Sequence, residues 1–140
     1  MKDRLFLDTN IILDLLGERR PYYDSIAKIA SLADRNEIHL IISAISYTTL
    51  YYLLSKFERH DIVREKLRKL TIISAIAGVD ANSLEKSLNS EFRDFEDAVQ
   101  YYGALSSNCN IIITRNGKDY KLSDLPVMTP LEYLVRINRN

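Results

Sequence analysis

Short runs that are apolar throughout alternate along this chain with longer stretches in which apolar residues recur every third or fourth position. Leu5-Phe6-Leu7 ends abruptly at Asp8 and reads as a buried strand. Ile11, Ile12, Leu15 and Leu16 follow at helical spacing, with Gly17 as a stop. Asp24 to Asn36 repeats the helical pattern through Ile26, Ile29, Ala30 and Leu32, and Ile38 to Ile42 predicts a second strand closed by Ser43. From Ser46 to Phe57, residues Tyr47, Leu50, Tyr51 and Leu54 form an i, i+3, i+4, i+7 stripe. A charged helix from Asp61 to Lys69 leads into Thr71-Ile72-Ile73, the third strand candidate. Asp80 opens a polar helix to about Asn89, and Phe95, Ala98, Val99, Tyr102, Leu105 and Ser106 mark one face of another. Ile111-Ile112-Ile113 is short, β-branched and bounded by Asn110 and Thr114, the clearest strand of all. Pro126-Val127-Met128 gives a fifth, and Pro130 starts a last helix through Leu131, Leu134 and Ile137.

Strands that lack in/out alternation and are separated by helices predict a parallel sheet covered on both faces. The expectation is one α/β domain over residues 1–140, three layers α/β/α, around a mostly parallel sheet of about five strands. In such sheets, sites lie outside the carboxyl ends of the strands.

Composition narrows the function. The 140 residues are 46% hydrophobic and 27% charged, a folded chain and not a disordered one. The 19 basic and 19 acidic side chains cancel, which excludes a simple polycation; nucleic acid would have to meet a local patch. A lone Cys109 excludes an internal disulfide framework and a cysteine-based zinc site. No apolar run approaches the ~20 residues of a membrane span. The opening Met-Lys-Asp-Arg-Leu-Phe-Leu-Asp does not read as a signal peptide, so the expected compartment is the cytoplasm, away from membranes.

The candidate chemistry is acidic. Asp8, followed by Thr9 and Asn10, stands where the first strand finishes; it either faces the crevice or caps the next helix. Residues 80–97 carry a local balance of −4, densest at Asp94-Phe95-Glu96-Asp97. Asp94 and Asp97 share a helix face, whereas Glu96 is rotated roughly 100° from Asp97 and should point elsewhere. Asp94 is also a good N-cap, and first-turn acids favour the helix dipole. After the fourth strand come Thr114, Asn116, Gly117 and Asp119, which a parallel sheet would set beside Asp8.

Two carboxylates 5 Å apart at an effective dielectric of 20 repel by roughly 3 kcal/mol. A divalent cation relieves that repulsion, and hard oxygen ligands favour Mg²⁺ or Mn²⁺ over zinc. Such an ion can activate water against a phosphodiester. His39 and His60 have no metal-ligand spacing, and no site role falls to either or to Cys109.

On these motifs the chain resembles the PIN-domain family of metal-dependent ribonucleases, the fold of VapC-type toxins. The matching segments are Leu5-Phe6-Leu7-Asp8-Thr9-Asn10, Asp94-Phe95-Glu96-Asp97-Ala98, Ile113-Thr114-Arg115-Asn116-Gly117-Lys118-Asp119-Tyr120 and Val127-Met128-Thr129-Pro130-Leu131-Glu132-Tyr133, in order along nearly the whole chain. The resemblance implies an endoribonuclease with Asp8 and Asp97 as catalytic, metal-binding acids, and with Asn10 and Thr114 as supporting polar groups. Asp94, Asn116 and Asp119 complete the candidate set, Asp119 standing in for a late acid that some members carry at the place of Asn116. It departs from the family at Thr49, where members usually have a Glu, and no acid lies between Ser43 and Lys56.

The expected partners are an RNA substrate, an antitoxin protein and a second copy of the chain. Lys56, Arg59, Arg64, Lys66, Arg68 and Lys69 leave a local excess of +3 that could hold RNA, although charged helices are ordinarily solvated faces. Tyr47, Tyr51 and Tyr52 could meet a partner or face the core. The alternative reading is a PIN-like domain that has lost catalysis and binds RNA or protein, motivated by Thr49 and Asn116. A small-molecule phosphotransfer domain finds no Gly-rich phosphate loop to support it.

Overall fold

Five short strands lie parallel in one sheet: Arg4–Leu7 (β1), His39–Ser43 (β2), Ala75–Ala77 (β3), Ile111–Ile113 (β4) and Val127–Met128 (β5), in the order β3-β2-β1-β4-β5. The structure is a computed structural model and describes residues 1–138. Parallel neighbours need crossovers, and helices supply them. Thr9–Leu16 (α1) and Tyr23–Asp34 (α2) join β1 to β2, and Ala44–Leu54 (α3) and His60–Ile72 (α4) join β2 to β3. Ala81–Leu88 (α5) and Phe95–Ser106 (α6) carry the chain back past β1 to β4. A 3₁₀ turn, Gly117–Tyr120, precedes β5, and Pro130–Asn138 (α7) follows it.

The strands are apolar on both faces because both faces are covered. Leu5, Leu7, Leu40, Ile42, Ile111 and Ile113 look into one core with Ile11, Ile26, Ile29, Leu50, Val63 and Tyr133 from the helices. Phe6, Ile41, Ile112 and Ala77 look the other way, onto Tyr101, Ala104, Cys109 and Tyr120. Side chains alternate along a strand, so a continuous apolar run is what two cores require.

The third strand is not where the β-branched run predicts it. Thr71 and Ile72 complete α4, with Ile72 80% exposed, because Val63 and Leu70 seat that helix on the core and carry it past the run. The strand is Ala75–Ala77, an edge strand with only Ala77 buried. One β-branched residue, Ile76, between two alanines gives a weaker strand signal than the run at 71–73.

The connection leaves β1 toward β2 and returns on its other side at β4. That reversal opens a crevice at the carboxyl ends of β1 and β4. In-register pairing of Leu7 with Ile113 makes Asp8 and Thr114 neighbours there.

Candidate active site

Asp8 occupies the N-cap position of α1, with φ −63° and ψ 150°, but its side chain makes no capping bond. Its carboxylate is turned into the crevice instead, where Oδ2 accepts from the Thr114 hydroxyl at 2.7 Å and Oδ1 from Gln100 Nε2 at 3.1 Å. Asp8 is 4% exposed. Burial pushes its carboxyl above the ordinary range, and the bonds from Thr114 and Gln100 work against that rise.

Asp97 comes from the first turn of α6. Asp94 caps that helix by accepting from Asp97 N–H at 3.0 Å, so the acid three residues upstream fixes the start of the helix that carries Asp97. The Asp97 carboxyl is pushed up to about 7, by burial first and then by the charges of Asp8, Asp94, Asp119 and Glu96. Carboxylates from β1's end, α6 and the 3₁₀ turn therefore share one field. A cavity of about 620 Å³ holds Asp94, Asp97 and Asp119 together with Arg93, Lys118 and Lys121. Asn116 opens the 3₁₀ turn: its N–H donates to Thr114 Oγ1 at 3.1 Å and its carbonyl accepts from Asp119 N–H at 2.9 Å. Asn10 is half-buried in α1's first turn, and no hydrogen bond ties its side chain to the described residues.

Ser46, Gln100 and Tyr120 join this cluster without a site role in the sequence reading, and Glu96 joins it against that reading. Glu96 was expected to point away from Asp97, but packing keeps its carboxylate in the same cluster. Its Oε1 accepts from Thr49 Oγ1 at 3.0 Å and its Oε2 from Thr9 Oγ1 at 3.2 Å. Ser46 and Gln100 lie beneath, both fully buried: Ser46 Oγ is 2.7 Å from Thr9 Oγ1, and Gln100 Oε1 accepts from Thr9 N–H at 3.2 Å. Gln100 thus carries the network from Glu96, one turn back on α6, to Asp8. Tyr120 is 2% exposed, and its hydroxyl faces Asp8 without a hydrogen bond of good geometry. Burial, then the charges of Asp8 and Asp97, drive its ionisation far above the ordinary range. Polar residues one helical turn apart, Glu96 and Gln100, were the available signal.

Half of the basic patch on α4 and the loop before it is held in ion pairs. Lys66 binds Glu58 at 2.8 Å and the Leu16 carbonyl at 3.0 Å, Arg59 pairs with Asp61 and Arg68 with Glu65. The cations at the acidic cavity are Arg93, Lys118 and Lys121, and none of them is in an ion pair among the described residues. Tyr51 bonds His60 Nδ1 at 2.6 Å, Tyr47 is half-buried and Tyr52 is exposed.

The donor set at the crevice is all carboxylate oxygen, with hydroxyls and amides behind it. Asp8, Glu96, Asp97 and Asp119 take part in no ion pair among the described residues. No group of three or more His, Cys, Asp or Glu among those residues closes to ligating geometry. Such an open oxygen site fits a hard divalent cation that keeps much of its water, and not a closed structural site.

Comparison with known proteins agrees with this geometry. A family model described as PIN domain matches residues 4–118. The chain is 28% identical over 141 residues to Ribonuclease VapC1 of Aquifex aeolicus, with 97% of this chain and 96% of that protein covered. Among solved structures it is similar to a toxin-antitoxin complex from Klebsiella pneumoniae, at 25% identity and a TM-score of 0.65 over 90% of this chain and 97% of that one. VapBC2 from Rickettsia felis, bound to a DNA fragment from its promoter, shares the fold at 20% identity, with a TM-score of 0.67 over 89% of this chain and 96% of that one. No helix among the described residues is long and apolar enough to cross a membrane.

Proposed function

The chain belongs to the PIN-domain family, and on that premise we propose that it is a metal-dependent endoribonuclease, the toxin of a toxin–antitoxin pair. The observation that carries this reading is the bond from Gln100, one turn after Asp97 on α6, to Asp8 at 3.1 Å, which brings two segments far apart in sequence to the β1/β4 crevice. Asp8 and Asp97 would hold the ion, with Asp119 across the cavity as the third acid. The hard oxygen donors favour Mg²⁺ or Mn²⁺. A divalent ion held there would supply Lewis-acid polarisation of a phosphodiester and activation of water.

The protein's own groups do the positioning. Thr114 and Gln100 hold both oxygens of Asp8, and Asp94 fixes the helix turn that presents Asp97. Arg93, Lys118 and Lys121 can take the phosphates on either side of the scissile bond. The binding-module alternative rests on Thr49 and Asn116 and is not favoured: the acids are gathered, and the relative over nearly the full length is a ribonuclease. We assign an antitoxin protein as partner, a homodimer as the working form, one PIN-like unit over residues 1–140 and the cytoplasm as compartment. The similarity to the Klebsiella complex supports the first of these.

The test is cleavage of RNA by the purified chain under metal titration. Cleavage should require Mg²⁺ or Mn²⁺ and vanish on chelation, and Asp8→Asn and Asp97→Asn should each abolish it with an unchanged circular dichroism spectrum. Undiminished cleavage by both variants overturns the assignment.

A further inference from the structure

Position 49 has no acid, yet a carboxylate sits at the tip of its side chain. Thr49 Oγ1 donates to Glu96 Oε1 at 3.0 Å, so a carboxylate grown from α3 at position 49 would arrive where Glu96 already is. Thr9, next to Asp8, holds the other oxygen at 3.2 Å. Both partners are neutral hydroxyls, so Glu96, half-buried, keeps its charge uncompensated among the described residues. A second observation points to a ligand in this place. The Tyr120 hydroxyl, on a residue 2% exposed, is unpartnered and lies among Asp8, Asp97 and Glu96.

We propose that Glu96 is a further cation-binding acid of this site, supplying from α6 the carboxylate that α3 lacks at Thr49. It rests on the metal-dependent reading above and names a residue which that reading does not need. The two hydroxyls are its positioning groups: Thr49 and Thr9 aim the carboxylate and leave its charge intact, which an Arg or Lys partner would cancel. Since a hard cation keeps several waters, Glu96 can act through charge and bound water without joining Asp8 and Asp97 in a closed cage.

The experiment is titration of the full metal-free chain with Mn²⁺ alone, followed by calorimetry. Glu96→Gln keeps the side chain's shape and an oxygen for Thr49 but removes the charge, and should weaken Mn²⁺ about tenfold or more. Thr49→Glu in the Glu96→Gln background should recover most of that loss, which a merely structural role for Glu96 would not allow. Thr49→Val, which keeps the acid and removes its donor, should weaken Mn²⁺ by a smaller factor; it also serves should Glu96→Gln unfold. Mn²⁺ affinity within twofold of the parent in Glu96→Gln, with binding lost in Asp97→Asn, overturns this inference alone. Unchanged affinity in Asp97→Asn overturns the metal site itself.

Discussion

The Thr114 hydroxyl donates to Asp8 Oδ2 at 2.7 Å, across the β1/β4 pairing that sets Leu7 opposite Ile113. Sheet register thus orients the carboxylate at the centre of the site. Hydrogen bonds to charged groups contribute about 1.5–3 kcal/mol. Thr114→Val should cost stability of that order in urea unfolding and lower RNA cleavage about tenfold or more, while Thr114→Ser should restore both. A Thr114→Val protein with parental cleavage would show that Gln100 alone positions Asp8.

The Asp97 carboxyl, raised from 3.8 to about 7, gives the metal-free protein a pH dependence of definite sign. Between these values the folded state keeps a proton that the unfolded chain has released, so stability is greatest below the window and falls as pH rises through about 7. A divalent cation bound by Asp97 would take the proton's place. Metal-free melting temperature should therefore drop from about pH 5 to about pH 8, and Mn²⁺ should raise it more at the upper pH. Asp97→Asn should flatten both responses. A melting temperature that climbs over this interval in the parent chain contradicts the assignment.

The layers, the parallel sheet and the strands β1, β2, β4 and β5 were legible because runs apolar on both faces have one economical explanation. Third strand Ala75–Ala77 was not, since its position is set by pairing with β2 and its single β-branched residue, Ile76, stands between two alanines. That Asp8 and Thr114 lie side by side was legible from where β1 and β4 end, and the approach of Asp97 from where α6 begins. Glu96, Gln100, Ser46 and Tyr120 were hidden, because which face of α6 meets which face of α3 follows from packing across the sheet edge. Of the basic patch at residues 56–69, Arg59, Lys66 and Arg68 are answered by acids a turn or a loop away, which a sum over sequence leaves unseen.

Tyr120 fills the second core beneath the site, but its hydroxyl has no partner. An unsatisfied buried polar group costs about 1–3 kcal/mol. Tyr120→Phe should therefore stabilise the metal-free protein by about 1 kcal/mol in urea unfolding, whereas Tyr120→Ala should cost about 3–5 kcal/mol for the lost ring. Destabilisation of more than about 1 kcal/mol by Tyr120→Phe would mean that the hydroxyl is bonded in the metal-free protein.

Arg93, Lys118 and Lys121 surround the acids at the cavity mouth, and their charges have no partner among the described residues, unlike those of Lys66 and Arg68. Free cations release counterions when they meet phosphate; cations already paired contribute far less. In an Asp97→Asn background, which binds without cutting, Lys118→Gln and Lys121→Gln should each weaken single-stranded RNA and reduce the slope of log affinity against log salt by about 0.7. Lys66→Gln and Arg68→Gln should leave both quantities where they were. Fluorescence anisotropy across a salt series separates the two sets. A slope that responds to Lys66 and Arg68 and ignores the cavity residues would place the RNA path over α4 and away from the acids.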